Sequence, residues 1–199
     1  MNELLKKYLF DYDEAYFFYN GKRLCQSVHG KSFVRFNKAK EQADKNTVDI
    51  EIISMYINEF LEEIGIRKVI EPKFDLSKVD RIDYMKIKQE YSLKEQGDIV
   101  WLKFTEDGYL GVVAVSDDIN FNIPYDKSQY DIKKNGKWKH NTSGIIVHKL
   151  GKKWDESFVL LFPLNGIPKG YKRHDIEKAI GNLLIQKGVP ILDFYSHLY

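Results

Sequence analysis

Three ionisable side chains near the end of the chain have the residue types that acid–base catalysis and metal binding require. His174, Asp175 and Glu177 lie at the predicted start of a helix. His174 and Glu177 are three residues apart and therefore share a helix face, where a histidine and a carboxylate can ligate a divalent cation. The stronger helical metal motif has the reverse order, Glu-x-x-His, in two copies. Capping and surface roles are therefore favoured over a metal site for these residues.

A second pair of carboxylates, Asp117 and Asp118, follows the apolar stretch Val112–Val115. Divalent cations such as Mg²⁺ prefer oxygen ligands, so two aspartates at a strand end are a candidate magnesium site. Adjacent residues of a strand point to opposite faces, however, and Ser116-Asp-Asp-Ile-Asn is typical of an Asx turn. The pattern therefore favours a turn over a metal site.

The predicted order of helix, three strands, helix and strand across residues 77–195 is similar to the core of restriction-endonuclease-like nucleases. The resemblance is one of topology, and it implies metal-dependent cleavage with an acid on one strand and Glu-x-Lys on the next. Asp98 or Asp117 is placed to be the acid, but Val147 stands where the family has its glutamate. A Mg²⁺- or Mn²⁺-dependent nuclease or phosphodiesterase is the alternative function. Its candidate residues are Asp117, Asp118, His148, His174, Asp175 and Glu177.

The loop before the last predicted helix is a candidate anion site. Its basic residues are Lys169, Lys172 and Arg173. The free N–H groups of a helix start, together with basic side chains, can hold a phosphate or carboxylate. The Gly-x-x-x-x-Gly-Lys-Ser/Thr spacing of a nucleotide-binding loop is absent from the sequence. A solvated basic loop, balanced by Asp175 and Glu177, is the competing interpretation.

A basic and aromatic region extends from Lys127 to Lys153, with eight lysines and two histidines against one acid, Asp131. Lysines beside aromatic rings can neutralise phosphates while the rings stack on bases, and they can equally form a hot spot for a protein partner. The region contains no arginine, so bidentate base reading is not indicated. The candidate partner-binding residues are Tyr130, Lys133, Lys134, Lys137, Trp138, Lys139, Lys152, Lys153 and Trp154.

Several helices and hairpins position these residues. The charged segment Ser77–Lys94 is predicted to be helical, and Ile119-Asn-Phe-Asn-Ile is predicted to be a half-exposed strand because it alternates by two. Apolar spacing predicts a short helix in residues 1–10, a helix from about Val48 to Ile64 capped by Asn46 or Thr47, and a helix from about Asp175 to Lys187. Asn-Gly pairs at 20–21 and 135–136 predict hairpins, because both central residues of the tight turn need positive φ. Apolar runs predict strands at 98–105, 109–116, 144–148, 157–163 and 189–195, with Val112–Val115 in a central strand covered on both faces.

This order predicts an α+β fold, in which N-terminal helices and a hairpin precede a mainly antiparallel sheet with a late amphipathic helix and a final strand. A division into an N-terminal part, residues 1–75, and a sheet domain, residues 76–199, is one interpretation. A single domain fits the pattern equally well at this length.

Composition narrows the function without fixing it. Thirty-one basic and 29 acidic residues give a net charge of +2, which is not typical of a protein that coats DNA. No apolar run is long enough for a membrane helix, the first residues do not resemble a signal peptide, and one cysteine, Cys25, cannot form an internal disulfide. We therefore expect a cytoplasmic protein with no membrane partner and no metal or other cofactor.

The sequence favours a non-enzymatic binding protein that engages a protein or a polyanion. A protein partner is favoured over nucleic acid. Abundant Lys, Ile, Asn and Tyr fit an AT-rich coding sequence, such as that of a low-GC bacterium or its phage. An accessory factor of a phage or mobile element, acting as an inhibitor of a host defence enzyme, fits this size and composition.

Overall fold

The computed structural model describes the elements that form the core of the chain. The described residues are 2–10, 16–19, 22–25, 48–66, 73–75, 89, 97–104, 108–116, 131–134, 137–140 and 158–191. The predicted strands at 119–123 and 144–148 lie outside them, as do Asn46, Thr47 and nearly all of the charged segment 77–94. Residues 189–191 are not in a strand, and the rest of the predicted last strand lies outside the described part.

The helices within the described residues are α1 (Glu3–Lys7), α2 (Ile50–Glu63) and α3 (Arg173–Gln186). The prediction of Asn46 or Thr47 as the cap of α2 is wrong, because Asp49 occupies the cap position and its carboxylate accepts the Glu51 N–H at 2.8 Å. None of these helices, within the described residues, is both long and apolar enough to cross a lipid bilayer.

Helices α2 and α3 end in the same way. Gly65 and Gly188 follow their C-caps with φ of 88° and 84°, a conformation that glycine adopts without a steric penalty. The N–H of Val189 donates to the Leu184 carbonyl at 2.9 Å, and the corresponding bond after α2 joins Ile66 to Leu61 at 2.8 Å. These bonds are those of the Schellman motif. The predicted ends of these helices, near Ile64 and Lys187, are confirmed.

In the described part of the chain the central sheet consists of four strands in the order β3-β8-β4-β5, and every pair is antiparallel. Two further hairpins, β1–β2 and β6–β7, are separate two-stranded sheets. The predicted α+β class is therefore confirmed. The strands are β1 (Tyr16–Tyr19), β2 (Lys22–Cys25), β3 (Lys73–Asp75), β4 (Ile99–Phe104), β5 (Leu110–Ser116), β6 (Asp131–Lys134), β7 (Lys137–His140) and β8 (Phe158–Pro163).

The apolar stretch Val112–Val115 forms most of β5, which lies at one end of the sheet that the described residues form. Its predicted central place stays a prediction, because the predicted strand 144–148 lies outside the described residues. Val112 and Val113 are nevertheless buried on opposite faces, as a continuous apolar run predicts. In the described sheet the inner strands are β4 and β8, and all six residues of β4 are buried.

One hydrophobic cluster joins the sheet to all three helices. Val100, Leu102 and Phe162 on the sheet pack with Leu5 of α1 and Ile57 of α2 in this cluster. Hydrogen bonds link the same elements, because the Asn2 side chain donates to the Ile64 carbonyl at 3.0 Å and the Tyr171 hydroxyl donates to the Asn2 carbonyl at 3.3 Å. The first residues of the chain thus connect the end of α2 to the approach of α3.

Helix α3 lies at the centre of this assembly, in contact with α1, α2, β1, β4 and β5. Its predicted apolar stripe is confirmed, since every member is buried. Burial continues around the helix and includes Glu177, Lys178 and Asn182, so ten consecutive residues are enclosed. The members of the stripe are Ile176, Ala179, Ile180, Leu183 and Leu184.

Candidate functional site

The loop that enters α3 carries exposed basic residues, as the sequence predicts. Lys169 and Lys172 are both exposed, and in the part of the chain that the structure describes neither forms an ion pair. Lys172 is the N-cap residue, and its backbone N–H donates to the Asp175 carboxylate at 2.7 Å. Asp175 is therefore a capping residue at the positive end of the helix dipole.

The third basic residue of this loop, Arg173, has an internal anion. Its Nη1 lies 3.1 Å from Oδ1 of Asp98, which directly precedes β4. Both side chains are partly exposed, so this bridge contributes little to stability by itself. It does set the position of the helix start against the sheet. Asp98 thus provides the charge that an external anion would otherwise supply to Arg173.

Glu177 lies one turn into α3 and is 9% exposed. Burial raises its pKa from 4.5 to about 8, while the positive charge of Arg173 lowers the pKa by a smaller amount. The carboxyl group is consequently protonated at neutral pH. A protonated carboxyl is a poor metal ligand and a poor general base.

The other candidates for catalysis do not form a metal-binding group with Glu177. His174 is exposed, whereas Glu177 on the same helix is buried. No group of three or more His, Cys, Asp or Glu side chains in the described part of the chain could hold a metal ion. Asp117, Asp118 and His148 lie outside the described residues, so their role stays a prediction.

The β6–β7 hairpin contains five of the predicted partner-binding residues, and its register determines which of them share a face. Lys134 pairs with Lys137 across the turn, and Lys139 pairs with Ile132. Because side chains alternate along a strand, Lys134, Lys137 and Lys139 lie on one face of the hairpin. We call these three residues the lysine face. The remaining predicted residues, Tyr130, Lys152, Lys153 and Trp154, lie outside the described part.

The opposite face of the hairpin carries the register pair Lys133 and Trp138, flanked by Asp131 and His140. Tryptophan and lysine are residue types that can stack on a base and neutralise a phosphate. The hairpin therefore separates its predicted residues into three lysines on one face and a lysine with a tryptophan on the other.

Buried polar side chains that escaped prediction from the sequence include Asn182 and Lys103. Asn182 is fully buried in α3, and its amide donates to the carbonyls of Tyr8 at 2.6 Å and Phe10 at 2.9 Å. Lys103 is fully buried in β4. Local spacing carries no signal for Asn182, because the carbonyl groups that it contacts lie 174 and 172 residues earlier in the chain.

The geometry thus distributes the candidates over two places. At the start of α3, Asp175 caps the helix and Arg173 forms an ion pair with Asp98. Burial keeps the carboxyl group of Glu177 neutral at the same place. On the β6–β7 hairpin, positive charges oppose each other in register. Comparison with known protein families, curated proteins and solved structures finds no match to the chain.

Proposed function

We propose that the protein is a non-enzymatic binding protein that engages a polyanion through its lysine face. The observation that carries the proposal is the register of β6 and β7, which sets Lys134 directly opposite Lys137. Like charges directly opposite each other destabilise an antiparallel pair, by about 0.2–1 kcal/mol in the range known for cross-strand pairs. A bound anion removes this repulsion. The arrangement is therefore better suited to the complex than to the free protein.

The spacing of the lysine face supports this role. Residues directly opposite in an antiparallel pair lie about 5 Å apart, and alternate residues along one strand lie about 7 Å apart. By this register, Lys134, Lys137 and Lys139 occupy neighbouring positions on one face of the hairpin. Lysine is a flexible point charge without the fork geometry of arginine, so the proposed recognition is of charge and not of base sequence.

Charge at the start of α3 supports binding without catalysis. Asp175 caps the helix and Asp98 pairs with Arg173. Burial raises the pKa of Glu177 to about 8, which leaves its carboxyl group neutral near pH 7. The described residues contain no observation that favours the nuclease alternative.

The first test compares two double variants that each remove two positive charges. Lys134→Gln with Lys137→Gln is expected to weaken binding to a labelled oligonucleotide about tenfold at 50 mM salt, and to reduce the slope of log K against log salt by about 1 to 2. Fluorescence anisotropy across a salt series measures both quantities. The control, Lys6→Gln with Lys7→Gln, changes two exposed lysines of α1 and should leave the slope nearly unchanged.

Equal effects of the two double variants would contradict the proposal, because they would show dependence on net charge and not on the lysine face. An acidic polypeptide, polyglutamate, serves as the second arm of the test. Its displacement of the oligonucleotide is expected if the lysine face recognises charge alone. Binding that polyglutamate does not displace would assign recognition to features of nucleic acid, such as stacking on Trp138.

A further inference from the structure

Helix α2 exposes large apolar side chains among acids. Ile52 is 40% exposed and Met55 is 46% exposed. At about 100° per residue, the exposed residues of α2 fall within about 120° of the helix circumference, opposite the buried Ile57 and Phe60. We call this exposed stripe the α2 face. Its members are Glu51, Ile52, Met55, Glu59, Glu62 and Glu63.

The first half of the α2 face is an apolar pair with an acidic border. Ile52 and Met55 are three residues apart, so their side chains are neighbours on the helix surface. Glu51 and Glu59 each lie four residues from Met55, on its two sides along the helix. A single exposed apolar side chain is common, but adjacent ones bordered by polar residues are typical of an interaction surface.

The second half of the α2 face is acidic. Glu59 is three residues before Glu62 and four before Glu63, so the three carboxylates are neighbours that repel one another. The last turn of α2 contains no basic residue, and these charges lie at the negative end of the helix dipole. Both effects destabilise the helix, and positive charge from a partner relieves both.

The spacing of the α2 face is that of a seam between two helices. In such a seam the contact residues alternate three and four positions apart along each helix. The residues of α2 with this spacing are Ile52, Met55, Glu59 and Glu62. A second helix laid along the seam would meet apolar side chains in the first half and carboxylates in the second.

Charge complementarity selects the composition of that second helix. The four exposed glutamates of the α2 face repel nucleic acid and anionic lipid, and they attract lysine and arginine. The apolar pair favours a partner that also brings apolar side chains. A basic amphipathic helix satisfies both conditions, because its apolar and basic residues recur at the spacing of the seam.

We infer that the α2 face is a docking surface for a basic amphipathic helix of a partner protein. The contact buries the apolar pair and neutralises the neighbouring glutamates. The inference goes beyond the proposed function and does not depend on it, because no residue of the α2 face belongs to the lysine face. The protein thus has one surface for a polyanion and a separate surface for a cationic protein.

Fluorescence anisotropy with two labelled peptides tests the inference. The probe is an amphipathic helical peptide of leucine and lysine, and the comparison peptide has glutamate at every lysine position. At about 50 mM salt we expect wild-type protein to bind the lysine peptide about tenfold or more tightly than the glutamate peptide. At about 500 mM salt this preference should become smaller, because exposed charges are screened.

Two pairs of variants assign the binding to the α2 face. Ile52→Gln with Met55→Gln should weaken binding of the lysine peptide about tenfold at both salt concentrations, whereas Ile52→Leu with Met55→Leu should bind within about twofold of wild type. Glu59→Lys should weaken binding about tenfold at low salt only. Glu3→Lys makes the same charge change at an exposed position of α1 and should have little effect. Circular dichroism verifies that each variant is folded.

Three outcomes of the peptide assay overturn the inference. The first is wild-type protein that does not bind the lysine peptide at low salt, and the second is equal binding of the two peptides, which would show that charge does not select the occupant. The third is an equal loss of binding from Glu59→Lys and Glu3→Lys. Light scattering gives a further arm, in which a wild-type dimer that Met55→Gln reduces to one chain would assign the α2 face to a second copy instead.

The oligonucleotide assay distinguishes failure of the inference from failure of the proposed function. Lys134→Gln with Lys137→Gln should leave binding of the lysine peptide unchanged. Wild-type protein that binds the oligonucleotide but not the lysine peptide refutes docking on the α2 face alone. Wild-type protein that binds the lysine peptide but no oligonucleotide refutes polyanion binding alone.

Discussion

The folded protein is expected to lose stability as the pH rises from about 5 to about 8, and Glu177→Gln is expected to remove much of that loss. Glu177 is 9% exposed, and burial raises its pKa from 4.5 to about 8. In the unfolded chain the pKa returns to its ordinary value. Between these two pKa values the folded state binds a proton that the unfolded chain has released.

The sign of the effect follows from this difference in protonation. The stabilisation that Glu177 provides as a protonated group is complete below its unfolded pKa, and it is lost as the pH rises through the folded pKa. The free energy of unfolding should fall by roughly 1 kcal/mol per pH unit across this interval. Glutamine resembles the neutral carboxyl group in size and carries no proton to lose. The difference between the free energies of unfolding of the variant and of wild type should therefore shift in favour of the variant as the pH rises. Between about pH 5 and about pH 8 the shift should be on the order of 3 kcal/mol.

Urea unfolding at several pH values gives the free energy of unfolding for both proteins. The matched control is Glu63→Gln, the same substitution at an exposed position of α2. The difference between this control and wild type should change little with pH. If the difference between Glu177→Gln and wild type is also independent of pH, Glu177 does not remain buried and protonated in solution.

Asn182→Leu is expected to destabilise the folded protein, because Asn182 is fully buried in α3 and its amide is hydrogen-bonded. The Asn182 amide donates to the Tyr8 carbonyl at 2.6 Å and to the Phe10 carbonyl at 2.9 Å. Leucine has a similar volume but no hydrogen-bond donor. The main effect of the substitution is therefore that the carbonyl groups of Tyr8 and Phe10 lose the amide that donates to them. An unsatisfied buried group costs about 1–3 kcal/mol, which suggests a total loss on the order of 2–4 kcal/mol.

The measurement is the free energy of unfolding in urea, together with amide exchange of residues 2–10. Exchange in this segment should become faster, because Asn182 holds the chain just after α1 against α3. Asn58→Leu is the control, since Asn58 is half-buried in α2 and keeps access to water. A free energy of unfolding for Asn182→Leu equal to that of wild type would contradict the described contacts.

The sequence predicts α2 and α3 well because local signals determine where each of them lies. Apolar spacing identifies their buried sides, and Gly65 and Gly188 mark their ends. The starts are less accurate. Helix α3 begins at Arg173 and not at Asp175. Asp175 caps the helix from within its first turn, because its carboxylate accepts the N–H of Lys172, the N-cap residue three positions earlier. Several residues near a helix start can act as caps, and local sequence alone does not select one.

The environment of Glu177 and Asn182 could not be predicted from local spacing. A helix with polar residues on one side is expected to expose them, but α1, α2 and β1 contact α3 in addition to the sheet. Asn182 bonds to the carbonyl of Tyr8, 174 residues earlier. Periodicity within a helix does not reveal which distant segments will cover it.

The candidate site was predicted only in part, for a related reason. The Asn135-Gly136 pair predicts the β6–β7 hairpin, and the described strands flank that pair. Charge composition identifies its lysines, but only the register shows that Lys134 faces Lys137. The ion pair between Arg173 and Asp98 spans 75 residues and could not be inferred from either segment alone.

The most direct test of the proposed function mixes the wild-type protein with labelled single- and double-stranded oligonucleotides, with and without Mg²⁺ or Mn²⁺, at about 50 and about 200 mM salt. We predict binding that weakens steeply as salt rises, that does not require the metal, and that leaves the oligonucleotides intact. Cleavage that occurs only with the metal would contradict the proposal and support the nuclease alternative. Absence of binding at low salt would also contradict it.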